Sequence, residues 1–205
     1  MLNLPISHTL TLIIITILIS LIAFSNANLM NRLIMWPPAI KKGQYDRFIT
    51  HGFIHADGMH LFFNMFTLYF FGRAIETFYR QYFFDLGFVL FYLGGLIIAI
   101  LPSYLANKDN NRWASLGASG AVSAVLFAFV LFEPWNILLV FFIPVPAIIF
   151  AVLYVAYSIW ADSKGRGNVN HSAHLWGAAY GVIMTLILQP KLLGNFLNKL
   201  SNIPF

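Results

Sequence analysis

Long apolar runs broken by short polar stretches make up the chain, and the breaks locate its elements. A helix needs about 20 predominantly apolar residues to cross the hydrocarbon of a bilayer. On that criterion six spans are predicted, at about 4–25, 57–79, 83–103, 119–133, 136–160 and 171–190. The first run, near Leu10–Phe24, lacks a charged leading region and a small-residue cleavage site, so it reads as a retained span and not a signal. "YLANKDNNRWAS" (104–115) and "DSKGRGNVN" (162–170) are polar loops, and "EPWN" (133–136) is a tight turn. The long connection Asn26–Ala56 carries Trp36, Pro37, Pro38, Lys41, Lys42 and Arg47. That mixture predicts a partly helical segment folded at the membrane interface, not across it.

The fourth run is short. About fifteen helical residues cover roughly 22 Å, against a hydrocarbon core of about 30 Å. If its far end reaches the interface at Glu133, its first residue, Ser119, starts below the near surface. Backbone just ahead of it, at Leu116–Ala118, is then non-helical at membrane depth. Such backbone is tolerated only inside protein or beside a water-filled cavity. The stretch "SLGASGAVSA" (115–124) therefore predicts a polar hole with a serine at its floor.

With six spans, segments two, four and six start on the same side of the membrane. His60 and Asn64 lie near the start of the second, Ser119 opens the fourth, and His174 lies near the start of the sixth. Polar and ionisable residues are costly in spans and default to a functional reading.

Composition supports the membrane assignment. The 205 residues are 60% hydrophobic and 9% charged, where a soluble domain has about 25% charged residues. The bilayer is therefore the solvent, and the fold expected is all-α, a single membrane domain over 1–205. The absence of cysteine excludes disulfides, iron–sulfur clusters and thiolate catalysis. The net charge of +5 reads as loops at lipid headgroups and not as a nucleic-acid site.

A serine hydroxyl becomes a useful nucleophile when a neighbouring base takes its proton, and a neutral imidazole suits neutral pH. Ser119 and His174 supply that pair. Taken singly, each has a plainer reading, as a small residue in a packing seam and a core histidine. Gly177 and Gly181 form a G-x-x-x-G, which lets two membrane helices touch closely, and "GASGA" offers a matching small surface. His60 and Asn64, spaced i and i+4, point the same way and can donate to an oxyanion, as can the Ser119 backbone N–H at a helix start. Interhelical hydrogen bonding is the structural alternative for Asn64. Asp162 is in a loop, Glu133 lies at the opposite face and Asp57 reads as a helix cap, so the expectation is a dyad and not a triad.

The residues also bear on two other classes. The histidines of "HGFIHADGMH" (51–60), with His171 and His174, suggest a metal protein, but H-E-x-x-H is absent and no carboxylate sits at helical spacing from a histidine pair. No metal and no cofactor is expected. A chain that binds membrane helices without cutting them is the other class, and the intact Ser–His pair argues against it.

"HLFFN" (60–64), "GASG" (117–120) and "AHLWGAAYG" (173–181), in this order on alternate spans, resemble the rhomboid intramembrane serine proteases in their compact bacterial six-helix form. The resemblance implies a six-transmembrane-helix bundle with a long interfacial loop between helices 1 and 2. It implies Ser119 as nucleophile, His174 as general base and acid, and an oxyanion site from His60, Asn64 and the Ser119 backbone. Arg47 falls where the family keeps an arginine holding the first loop, and Glu76 where it keeps a glutamate at the inner end of segment two. Both read as structural, as do His51 and His55. Two positions depart from the family pattern. Asp46 stands where a tryptophan usually precedes the loop arginine, and Ser123 stands where a tyrosine usually packs under the histidine.

The implied reaction is hydrolysis of peptide bonds in or next to single-pass membrane helices, which must unwind locally to present their carbonyls. Substrate access is expected beside segment five, where "FIPVP" (142–146) puts Pro144 and Pro146 mid-span, as a kinked candidate gate or equally as a static kink. The resemblance places the chain in a bacterial inner membrane, termini cytoplasmic and site toward the periplasm. The count of Lys and Arg points the other way: eight on the catalytic side (Arg32, Lys41, Lys42, Arg47, Lys108, Arg112, Lys164, Arg166) and four opposite (Arg73, Arg80, Lys191, Lys199). Membrane lipid and helical substrates are the partners expected, and nucleic acid is not.

Overall fold

The computed structural model describes residues 7–140, 142–164 and 169–203. The start of the first expected span at residues 4–6, Phe141 of the fifth expected span, and Arg166 with its neighbours in the 162–170 loop lie outside the described residues.

The first helix, α1 (His8–Ser25), is capped by the Ser7 side chain at one end and closed by Asn26 at the other. Asn26 then caps α2 (Ala27–Leu33), and the interfacial segment continues through α3 (Pro37–Lys41), α4 (Arg47–Thr50) and a 3₁₀ turn, His51–Phe53. Pro37 sits in the first turn of α3, where its missing N–H costs nothing. The second run is α5 (Gly58–Thr67), a π-turn (Leu68–Gly72) and α6 (Arg73–Tyr79). The Asp57 carboxylate caps α5 by accepting the His60 N–H at 2.8 Å. Next come α7 (Gly87–Asn107) and α8 (Ser119–Phe132). A two-stranded antiparallel hairpin follows, β1 (Ile137–Val140) and β2 (Ile143–Pro146). The chain ends in α9 (Ala147–Lys164), α10 (His171–Leu188) and α11 (Lys191–Ser201).

Among the described residues α1, α7 and α9 are each long and apolar enough to cross a membrane, and α10 with α11 passes as a pair bent by 115°. α8 is apolar and shorter. It is also the centre of the molecule: twelve of its fourteen residues are buried. Its heaviest packing is against α10, and α7 packs against both. Glycine makes this approach possible. A Cβ on Gly177 would collide with the Gly120 backbone, and one on Gly181 with the Ala124 backbone. The backbones of α8 and α10 are therefore in direct contact at two successive turns.

Two expected boundaries move. The third helix begins at Gly87, not at 83, because Phe83, Phe84 and Asp85 all take positive φ in a tight turn. The Asp85 carboxylate holds that turn by accepting from Arg80 and His8, both at 3.3 Å. The larger correction concerns the fifth segment. Pro144 and Pro146 are not a mid-span kink; they lie in β2, paired with Leu139 and Ile137. Each proline lacks an N–H and disfavours helical backbone in the residue before it, so α9 starts only at Ala147, immediately after Pro146.

Candidate active site

Ser119 is the first residue of α8, and the backbone ahead of it is held in a non-helical path by the interfacial segment. Met35 and Ser115 exchange backbone hydrogen bonds at 3.0 and 3.1 Å. The Gly117 N–H donates to the His51 carbonyl at 2.9 Å, and the Ala118 N–H donates to His55 Nε2 at 3.4 Å. Gly117 has φ +112 and a Cβ there would press into the His60 ring, so this position needs glycine. The interfacial segment thus acts as a brace for the serine.

The braces are themselves fixed. His55 is fully buried; because Nε2 accepts, Nδ1 carries the proton and donates to Ser20 Oγ at 3.0 Å, and Ser20 donates on to the Phe53 carbonyl. His51 Nδ1 donates to the Arg47 carbonyl at 2.9 Å. Burial pushes the His51 pKa down to about 4, and burial with the neighbouring His60 pushes that of His55 down to about 3. Both rings are neutral structural parts at neutral pH. Arg47, also buried, donates to the Asn31 and Ile34 carbonyls and to Gln44, which closes the first loop around its guanidinium. Asp46, the departure beside it, pairs at the surface with Arg32 at 2.7 Å. At the other end of the bundle Glu76 accepts from Ser7 Oγ and from the backbone N–H groups of His8 and Thr9, pinning the start of α1 to α6.

Ser119, His174, His60 and Asn64 all line one cavity of about 1240 Å³. The N–H groups of Ser119, Gly120 and Ala121 have no acceptor among the described residues, as expected at a helix start. Asn64 spends one amide N–H on the His60 carbonyl at 2.9 Å, leaving the other. Ser119 Oγ and the His174 ring share the cavity without a direct hydrogen bond among the described residues. In free enzymes such bonds are often long and tighten when substrate binds.

Two partners of the site are absent from the candidates named from the sequence. Asn170 caps α10 by accepting the Ala173 N–H at 3.0 Å, and its amide also meets Ser103 Oγ of α7 at 2.9 Å and Ser115 Oγ at 3.4 Å. An asparagine just before "HSAH" was the available signal. The second is Tyr154 of α9, whose ring stacks on His174 at 5.9 Å between centroids and 18° between planes. Its hydroxyl bonds Ser123 Oγ at 2.6 Å. The tyrosine missing at position 123 is thus met by one arriving from another helix, with Ser123 as its anchor. Nothing in the local sequence of α9 marks Tyr154 out from its neighbours.

Apolar helices around a cavity that holds His60, Asn64, Ser119 and His174 define an integral membrane protein of the all-α class. Residues 42–191 match the Rhomboid domain, and the chain belongs to the rhomboid family, a family of intramembrane serine proteases. It is 33% identical over 172 residues to RHOMBOID-like protein 12, mitochondrial, of Arabidopsis thaliana, covering 78% of this chain and 51% of that protein. It is 34% identical over 153 residues to Rhomboid-like protein 11, chloroplastic, of the same plant, covering 70% and 52%. The chain spans about half the length of these curated relatives.

Proposed function

We propose that the protein is an intramembrane serine endopeptidase that uses Ser119 and His174 as a dyad. The observation that carries this reading is the sharing of one cavity by a serine at a buried helix start and a histidine on the helix in backbone contact with it. Ser119 Oγ attacks the scissile carbonyl carbon while His174 takes its proton. The oxyanion receives hydrogen bonds from the Ser119 N–H, from Asn64 and from His60. His174 then gives its proton to the leaving amine, and a water activated by the same ring releases the acyl group from Ser119. Substrates are membrane-spanning helices that unwind near the cut. They reach the cavity beside α9, with the hairpin carrying Pro144 and Pro146 as the adjoining gate. The site faces the periplasm of a bacterial inner membrane, with cytoplasmic termini.

Cleavage of a reporter membrane helix by purified protein in detergent tests the reading. Ser119→Ala and His174→Ala are each expected to fold normally and to lose turnover by at least about 10³-fold. Vigorous cutting by either variant refutes the assignment. Asn64→Ala is expected to slow turnover about 10²-fold without eliminating it.

A further inference from the structure

We infer that Tyr154 and Ser123 are a positioning pair that makes the orientation of the His174 ring depend on the seating of α9. This rests on the dyad reading above and concerns what holds its base.

A histidine that serves as a base must present one nitrogen in a fixed direction, and a side-chain hydrogen bond usually fixes the ring. Among the described residues the His174 ring makes none. Its orientation falls to aromatic contacts. Tyr154 covers one face, near parallel, and the His171 ring meets it at 5.7 Å and 74°. His171 in turn packs edge-on against Tyr157 at 5.4 Å. Offset-stacked and edge-to-face pairs at these separations are favoured arrangements of aromatic rings. Both supports therefore lead to α9, to residues three apart on one face of that helix.

The Tyr154 ring is fixed in its turn. Phe127 and Phe150 flank it at 5.7 and 5.8 Å, and the 2.6 Å bond to Ser123 anchors its hydroxyl to α8. Ser123 is one turn beyond the nucleophile, so the bond ties the helix of the histidine's support to the helix of the serine. Yet α9 is held lightly. Only Ala147, Ala151, Ser158 and Ala161 of its eighteen residues are buried, and its packing on α8 is sparse. If α9 moves outward, Tyr154 leaves the imidazole and Tyr157 leaves His171, so one support is lost and the other loses its backing. The base is competent only when α9 is in place, so peptide chemistry waits until the helix has closed over a bound segment.

The test is reaction of Ser119 with a fluorophosphonate, together with kcat and KM on a reporter membrane helix, for wild type, Tyr154→Leu, Tyr154→Phe, Ser123→Ala and the double variant Tyr154→Phe/Ser123→Ala. Tyr154→Leu is expected to lower labelling rate and kcat roughly 10- to 100-fold with KM within about twofold, since a small misplacement of a catalytic group has that effect. Tyr154→Phe keeps the ring and is expected to recover most of the loss, remaining about 3- to 10-fold below wild type. Ser123→Ala is expected to match it, and the double variant to be no worse than either single one, because all three remove the same bond. Wild-type kcat in Tyr154→Leu overturns the inference, as do independent, multiplying losses from Tyr154→Phe and Ser123→Ala. If Tyr154→Leu does not fold, the two hydroxyl deletions and their double variant decide the question. A wild-type protein that does not label at Ser119 overturns the dyad reading instead.

Discussion

The α8–α10 seam and the α9 flank are both walls of the same cavity, and they are built in opposite ways. In the seam, glycines bring two helix backbones into contact, and twelve of the fourteen residues of α8 are buried. On the flank, four of the eighteen residues of α9 are buried, and the hairpin before it leaves Leu139, Phe142 and Ile143 largely exposed. Apolar packing gains little from lipid, which is as apolar as the side chains, so close backbone approach is what makes a membrane seam firm. Ser119 stands on the firm wall, and the Tyr154 ring that stacks on His174 stands on the loose one. A rigid serine with a conditionally supported histidine follows from that division.

Substitutions can break the contrast at either wall. The largest effect is expected in the seam: Gly177→Leu must separate α8 from α10 and is expected to abolish folding, while Gly177→Ala is expected to cost about 1–3 kcal/mol in thermal unfolding in detergent. An unchanged melting temperature for Gly177→Leu would show that the backbones are not in contact. An intermediate effect belongs to the interfacial brace. His51 is neutral when buried and ordinary when unfolded, so the unfolded chain binds more protons below about pH 6.5. Stability is expected to be full above that pH and to fall as pH drops toward about 4, by up to about 3 kcal/mol from this group. His51→Gln, which has no titrating ring, is expected to flatten that part of the profile; a slope that survives assigns it to other groups. The smallest effect is expected at the lipid-facing side of α9, where Leu153→Ala and Ile159→Ala remove exposed side chains and are expected to change stability by less than about 0.5 kcal/mol. Large losses there would show that α9 is packed as firmly as α8.

Several parts of this arrangement could be read before any coordinates. The short fourth run was legible as a short helix opening at Ser119, and α8 has fourteen residues and begins there. The small residues of "GASGA" and "AHLWGAAYG" indicated a close contact, and the contact exists at Gly177 and Gly181. Asp57 was legible as a cap because capping is a local event within one helical turn. The fifth segment was misread because apolar composition is the same for a helix and a hairpin. There the prolines spoke about backbone geometry, and they marked a helix start instead of a kink.

Solvent and the placement of four polar side chains near helix starts are written in the chain itself, because they depend on composition and on spacing within a few turns. Which groups hold Ser119 and His174 in place is not. His55 reaches Ala118 across 63 positions and Ser123 reaches Tyr154 across 31, and such meetings exist only once the helices have packed. Local sequence sets which residues can take part; the closeness of remote segments, which no local pattern encodes, selects the ones that do.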